Sequence, residues 1–83
     1  MKKVTIHIMP KQGVLDPQGK AIQTSLNALG FSEVEAVQTG KLVELFVEEH
    51  ADIDRRVGEM CDKLLVNPVM EDYHVDVEEA VRP

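Results

Sequence analysis

Eighty-three residues allow one domain around one small core, and 43% hydrophobic with 29% charged residues is the composition of a folded chain, too apolar for a disordered one. Fifteen acids against nine bases leave a net charge of −6, which opposes nucleic acid and anionic membrane as partners. Two Phe, one Tyr and no Trp leave little to stack on bases or sugars, so the expected core is aliphatic.

In "KVTIHIM" (3–9), Val4, Ile6 and Ile8 point one way and Thr5 and His7 the other. That period of two, rich in β-branched residues, predicts a strand, ended by Pro10. The preceding basic start is not followed by an apolar stretch long enough for a signal peptide, and no run approaches the roughly twenty apolar residues of a membrane helix. A cytoplasmic protein is expected. In "KQGVLDPQGKAI" (11–22), Asp16 before Pro17 is a helix start: a carboxylate for free N–H groups, then a residue that lacks one. Ile22, Leu26 and Leu29 follow at helical spacing, flanked by Ala21, Ser25 and Ala28. The spacing predicts a helix over 17–29, closed by Gly30 in a left-handed cap with Phe31 folding back.

Residues 34–49, "VEAVQTGKLVELFVEE", are strand-like on both sides of Thr39-Gly40. A hairpin and one long strand bent at Gly40 both fit. In the second half Val43, Leu45 and Val47 face one way, and Leu42 and Phe46 the other. Both faces need cover, which points to a second copy of the chain. Residues 51–67 place Ile53, Val57, Met60, Cys61 and Leu64 on one helical stripe, with Asp52 as cap and Asn67-Pro68 as the stop. Cys61, the single cysteine, reads as a small buried hydrophobe in a reducing compartment. A last strand in "VMEDYHVDVEE" puts Val69, Tyr73, Val75 and Val77 on one face, interrupted by Glu71, before a fraying tail "AVRP". The predicted fold is α+β over residues 1–83 as a single domain: strand, helix, strand or strand pair, helix, strand. Helices pack on one face of a mainly antiparallel sheet in a two-layer sandwich related to the ferredoxin-like layout, assembled as a dimer or higher.

No reactive constellation emerges. In "GVLDPQGKA" Gly19-Lys20 is followed by Ala21, so the hydroxyl of a phosphate loop is missing, and Asp16 would repel an anion. His7, His50 and His74 lack metal-ligand spacing, and His7 and His74 become neighbours only if their strands pair. Glu44, Glu48 and Glu49 read as a solvated face or docking rim, not as a general acid and base. No catalytic, cofactor or metal residue is expected.

Three stretches together, "GVLDPQGKAI", "LGFSEVEAVQTGKLVELFV" and "KLLVNPVMEDY", resemble the PurS family, the small subunit of phosphoribosylformylglycinamidine synthase in purine biosynthesis. The resemblance runs from about Val4 to Glu78. It implies a subunit without chemistry of its own that bridges a PurL-type synthetase and a PurQ-type glutaminase, helps ammonia pass between them, and self-associates. ATP and magnesium are then expected on the large partner. The implied contact residues are Gly13, Val14, Leu15, Asp16, Pro17, Gln18 and Gly19, then Gly40 and Lys41, then Asn67, Pro68, Glu71 and Tyr73. Lys41 is the foremost candidate for an ion pair across a subunit contact. The alternative from a different class is a free-standing regulatory dimer that binds a small molecule between protomers.

Overall fold

The computed structural model describes residues 1–81; of the tail, Arg82 and Pro83 lie outside the described residues. Strand β1 (Lys2–Pro10) is followed by helix α1 (Pro17–Ala28), strand β2 (Lys41–Val47), helix α2 (Ile53–Met60) and strand β3 (Glu71–Glu79). Between α2 and β3 the helix runs on into a π-helical turn over Cys61–Leu65.

β1 is the middle strand of an antiparallel sheet of order β2-β1-β3. Ile6 lies opposite both Val43 and Val75, and Val4 opposite both Leu45 and Val77. The alternation of "KVTIHIM" thus sends Val4, Ile6 and Ile8 to one face, where none retains accessible surface. Val57 and Cys61 of the helix and Val66 beyond it close that face into the core. The opposite face is open, and there Leu42 and Phe46 stay exposed at 56% and 38%. Ala80 is tied to the start of the chain by its N–H on the Met1 carbonyl, 3.2 Å away.

Helix α1 starts and stops where its sequence predicts. Asp16 occupies the N-cap and Pro17 the first turn. At the far end Gly30 has φ +103°, the Phe31 N–H reaches Leu26 O (3.0 Å) and the Gly30 N–H reaches Asn27 O (3.1 Å). This pair of bonds is a Schellman motif.

Four expectations need correction. Only α2 and its π turn pack on the sheet; no residue of α1 belongs to the core or packs against it. The chain accordingly extends 50 × 29 × 15 Å, with a radius of gyration of 16.5 Å, where a compact chain of this length has about 12 Å. Residues 34–40 form neither a hairpin arm nor a paired strand: pairing begins at Lys41, opposite Ile8. Side chains of α1 capture this segment instead, Asn27 Nδ2 bonding Phe31 O and Val34 O and Gln23 Nε2 bonding Glu35 O. Leu64, expected on the buried stripe, is 84% exposed, while Leu65 packs on the core. The π turn causes this: Val66 N–H bonds Cys61 O five residues back (2.9 Å), so one extra residue passes before the inner face returns. Val69 precedes β3 in a turn and is exposed. Asp52 does occupy the N-cap of α2, but its carboxylate meets Arg55 (3.3 Å) and no backbone N–H.

Candidate functional site

The distinctive stretches of the sequence converge at one end of the sheet, where β1 ends and β2 and β3 begin. Asp16 organises the first part. Its Oδ1 accepts the Gly19 N–H at 2.9 Å, the ordinary duty of a helix cap. Its Oδ2 also accepts the Thr39 N–H at 2.7 Å, and the Thr39 hydroxyl donates to Oδ1 at 2.9 Å. The carboxylate therefore joins the beginning of α1 to the beginning of β2. These donors favour the charged form, the Thr39 N–H most and the Gly19 N–H next, and hold the Asp16 carboxyl below its ordinary value of 3.8 against partial desolvation.

Two glycines make that junction possible. A Cβ on Gly19 would run into Val37 O and stand 2.7 Å from Asp16 Oδ2. One on Gly40 would strike the Ile8 carbonyl and the Met9 sulfur. In both places backbone approaches backbone at a distance only glycine permits.

The second part is the turn between the π helix and β3. Asn67 Oδ1 accepts the N–H groups of Val69 (3.0 Å) and Met70 (3.3 Å). Glu71 Oε1 in turn accepts the Asn67 N–H at 2.8 Å. The other Glu71 oxygen lies 3.7 Å from Lys41 Nζ, so within the protomer Lys41 pairs with the last motif. Lys11 closes the arrangement: its N–H bonds Met70 O (2.9 Å) and its ammonium meets Asp72 Oδ1 (2.6 Å).

Two shallow clefts result. One, about 270 Å³, has Val14, Leu15, Pro17 and Gln18 on one side and Gly40, Lys41 and Glu71 on the other. The next, about 390 Å³, is walled by Pro68, Glu71 and Tyr73 with Lys11 and Asp72. Glu71 belongs to both, so most of the residues picked from three separated motifs share one surface. Gly19 and Asn67 line neither cleft but shape its walls, and Gly13 sits in the preceding turn with φ +86°. Sequence reading missed Thr39 and Lys11. Nothing at Thr39 announces a carboxylate 23 residues earlier, and Lys11 reads as one more surface lysine.

Chemically this surface offers apolar walls and charges already in pairs, which suits recognition of a protein surface. Burial, then the nearby Asp62 charge, pushes the Cys61 thiol up, so at neutral pH it stays protonated inside the core. Burial likewise raises the Tyr73 hydroxyl. The pairing of β1 with β3 sets His7 opposite His74, with ring centroids 6.1 Å apart and Asp76 beside both. Among the described residues no three His, Cys, Asp or Glu side chains are placed to hold a metal ion. No helix there is long and apolar enough to cross a membrane.

The family model described as PurS, phosphoribosylformylglycinamidine (FGAM) synthase, matches residues 3–79. The chain belongs to the PurS family. It is 48% identical over 82 residues to phosphoribosylformylglycinamidine synthase subunit PurS of Bacillus subtilis, covering 98% of both proteins. The crystal structure of Bacillus subtilis PurS superposes with a TM-score of 0.89 at 48% identity, over 95% of this chain and 100% of that one. A chain of the PurLQS structure from Thermotoga maritima superposes with a TM-score of 0.80 at 32% identity, over 93% and 96%. PurS membership, drawn from the three motifs, and the α+β fold, drawn from the order of strands and helices, are thereby established.

Proposed function

We propose that this chain is the non-catalytic PurS subunit of a multi-subunit phosphoribosylformylglycinamidine synthase, the ATP- and glutamine-dependent C–N ligation in purine biosynthesis. It joins a PurL-type synthetase to a PurQ-type glutaminase, self-associates, and helps ammonia cross from one to the other. The observation that carries this reading is the end-to-end likeness to Bacillus subtilis PurS in sequence and in backbone. The likeness to a chain of the Thermotoga maritima PurLQS structure supports the choice of partners.

The end of the sheet described above is the surface assigned to those partners: residues 13–19, Gly40, Lys41, Asn67, Pro68, Glu71 and Tyr73. Its walls are stiffened by hydrogen bonds from backbone N–H groups to Asp16, Asn67 and Glu71, so little ordering remains to oppose docking. In a chain of net charge −6, the Lys41–Glu71 pair at its centre offers a register mark. ATP and magnesium belong on the large subunit, and the complex works in the cytoplasm. Ammonia released by one subunit is kept from bulk water only while the protein surfaces around its path stay closed, which is a task of shape and needs no reactive group.

The test is reconstitution. Large and glutaminase subunits are assayed with glutamine and with free ammonia, with and without this chain. Glutamine-dependent synthesis is expected to require it, and ammonia-dependent synthesis to respond differently because the glutaminase is bypassed. A complex of the two larger subunits fully active with glutamine in its absence overturns the reading.

A further inference from the structure

Strand pairing brings together two residues that the sequence leaves far apart. On the open face of the sheet, His7 of the middle strand stands directly across from His74 of β3. Both rings turn their Nε2 atoms toward one carboxylate. Asp76 Oδ2 lies 3.6 Å from His7 Nε2, and Asp76 Oδ1 lies 3.1 Å from His74 Nε2. Two imidazole nitrogens thus converge on one spot from two hydrogen-bonded strands, whose paired backbones fix where the side chains start. The lysines around them are engaged: Lys3 lies between Glu44 (3.8 Å) and Glu78 (3.9 Å), and Lys11 meets Asp72. Asp72 and Asp76 flank His74 on its own strand face, so in a chain of net charge −6 the surroundings favour a cation.

We propose that His7 and His74 chelate one divalent transition-metal ion, copper(II) most tightly, with water in the remaining positions and the Asp76 carboxylate offsetting its charge. The site is independent of the subunit role. Three convergent protein ligands are not present among the described residues, so this is an open chelate and not a closed structural centre. Imidazole suits copper, nickel and zinc, and a set of two nitrogens with water oxygens fits the tetragonal preference of copper(II) and nickel(II). Magnesium takes oxygen ligands, so the ion that accompanies ATP on the large subunit is not the one held here. Two imidazoles on one ion, each nitrogen about 2.0–2.1 Å from it, have ring centres about 4.5–5 Å apart. The separation of 6.1 Å therefore closes by about 1 Å on binding, a movement within reach of two exposed rings turning about their side-chain bonds. His50 makes no such pair; its Nδ1 accepts the Asp52 N–H at 3.0 Å.

Two measurements test it. The full chain, free of any affinity tag, is titrated calorimetrically with copper(II), nickel(II), zinc(II) and magnesium salts in a non-chelating buffer. One ion per protomer is expected, with copper the tightest and magnesium giving no binding. His7→Gln and His74→Gln, both at exposed positions and checked for fold by circular dichroism, should each weaken copper binding on the order of tenfold or more. His50→Gln should leave it unchanged. In the unmodified protein, copper added below one equivalent should broaden the imidazole NMR signals of His7 and His74 before those of His50. Copper bound equally well by the His7→Gln and His74→Gln proteins overturns the site, as does broadening of all three histidines alike. Failure of all three transition-metal ions to bind overturns it too, and the reconstitution assay decides the subunit role separately.

Discussion

Two helices of this chain follow the same amphipathic rule and meet opposite fates. The α2 helix brings Val57 against Val4, Ile6 and Ile8 and vanishes into the core. The α1 helix has a weaker stripe, and Leu29, its C-cap, stands in water. The difference lies in what the flanking segments allow. α2 is entered from β2 and left toward β3, so it must cross the sheet they share. α1 is gripped at its base by Asp16 and Thr39 and points past the strand ends. Hydrophobic spacing states that a face will be covered; it does not state by which molecule.

The largest expected effect breaks the comparison at its covered half. Ile6→Ala removes a fully buried side chain between two strands and should cost about 2–5 kcal/mol, enough to unfold a domain this small. Leu29→Ala, measured by urea denaturation at dilutions where self-association is absent, should change protomer stability by no more than about 0.5 kcal/mol. Equal losses at the two positions would mean that α1 is packed within its own chain.

The next effect concerns the joint between the two halves. Gly19→Ala and Gly40→Ala each force a methyl group against a main-chain carbonyl, Val37 O or Ile8 O, which cannot swing aside as a side chain would. Each should cost about 1–3 kcal/mol in denaturant unfolding. If the arm is soft at its base, both losses shrink toward zero.

Much of this was legible in the residues. The period of two in β1, the Asp16-Pro17 start and the Gly30-Phe31 stop all act locally, within a few residues of themselves, and each sits where its chemistry predicts. The three motifs likewise pointed to the right family; that most of their residues meet at one end of the sheet appears only in the fold. What failed was non-local, apart from Leu64. The strand pattern of residues 34–40 is present, but its partner strand is missing from the protomer. The slip of Leu64 comes from a π turn, where spacing of 3.6 no longer applies. Thr39 joined the site through a hydrogen bond spanning 23 residues.

A smaller effect separates the two duties of Asp16. Its hydrogen bonds lower the folded carboxyl below 3.8, so their stabilisation is complete above that value and is lost as pH falls through the lower folded one. Asp16→Asn replaces one accepting oxygen with a donor facing donors, and should lower the Tm at neutral pH by about 5 °C. The gap between wild type and variant should narrow only below pH 3.8. A gap that persists unchanged into that acid range would show that the carboxylate charge contributes nothing to the clasp.

The smallest change in stability should come with a change in function. Lys41 is largely exposed and its pair with Glu71 spans 3.7 Å, so Lys41→Ala should alter unfolding by no more than about 0.5 kcal/mol. If the cleft end of the sheet meets the larger subunits, the same variant should weaken its own half-saturating concentration in glutamine-dependent reconstitution, the more so at low salt, where a long-range charge steers encounter most. Lys41→Arg, which keeps the charge, should restore most of it. Loss of activity in all three variants at positions 16, 19 and 41 with matching losses in stability would assign the cleft to folding alone; loss at Lys41 without destabilisation assigns it to a partner.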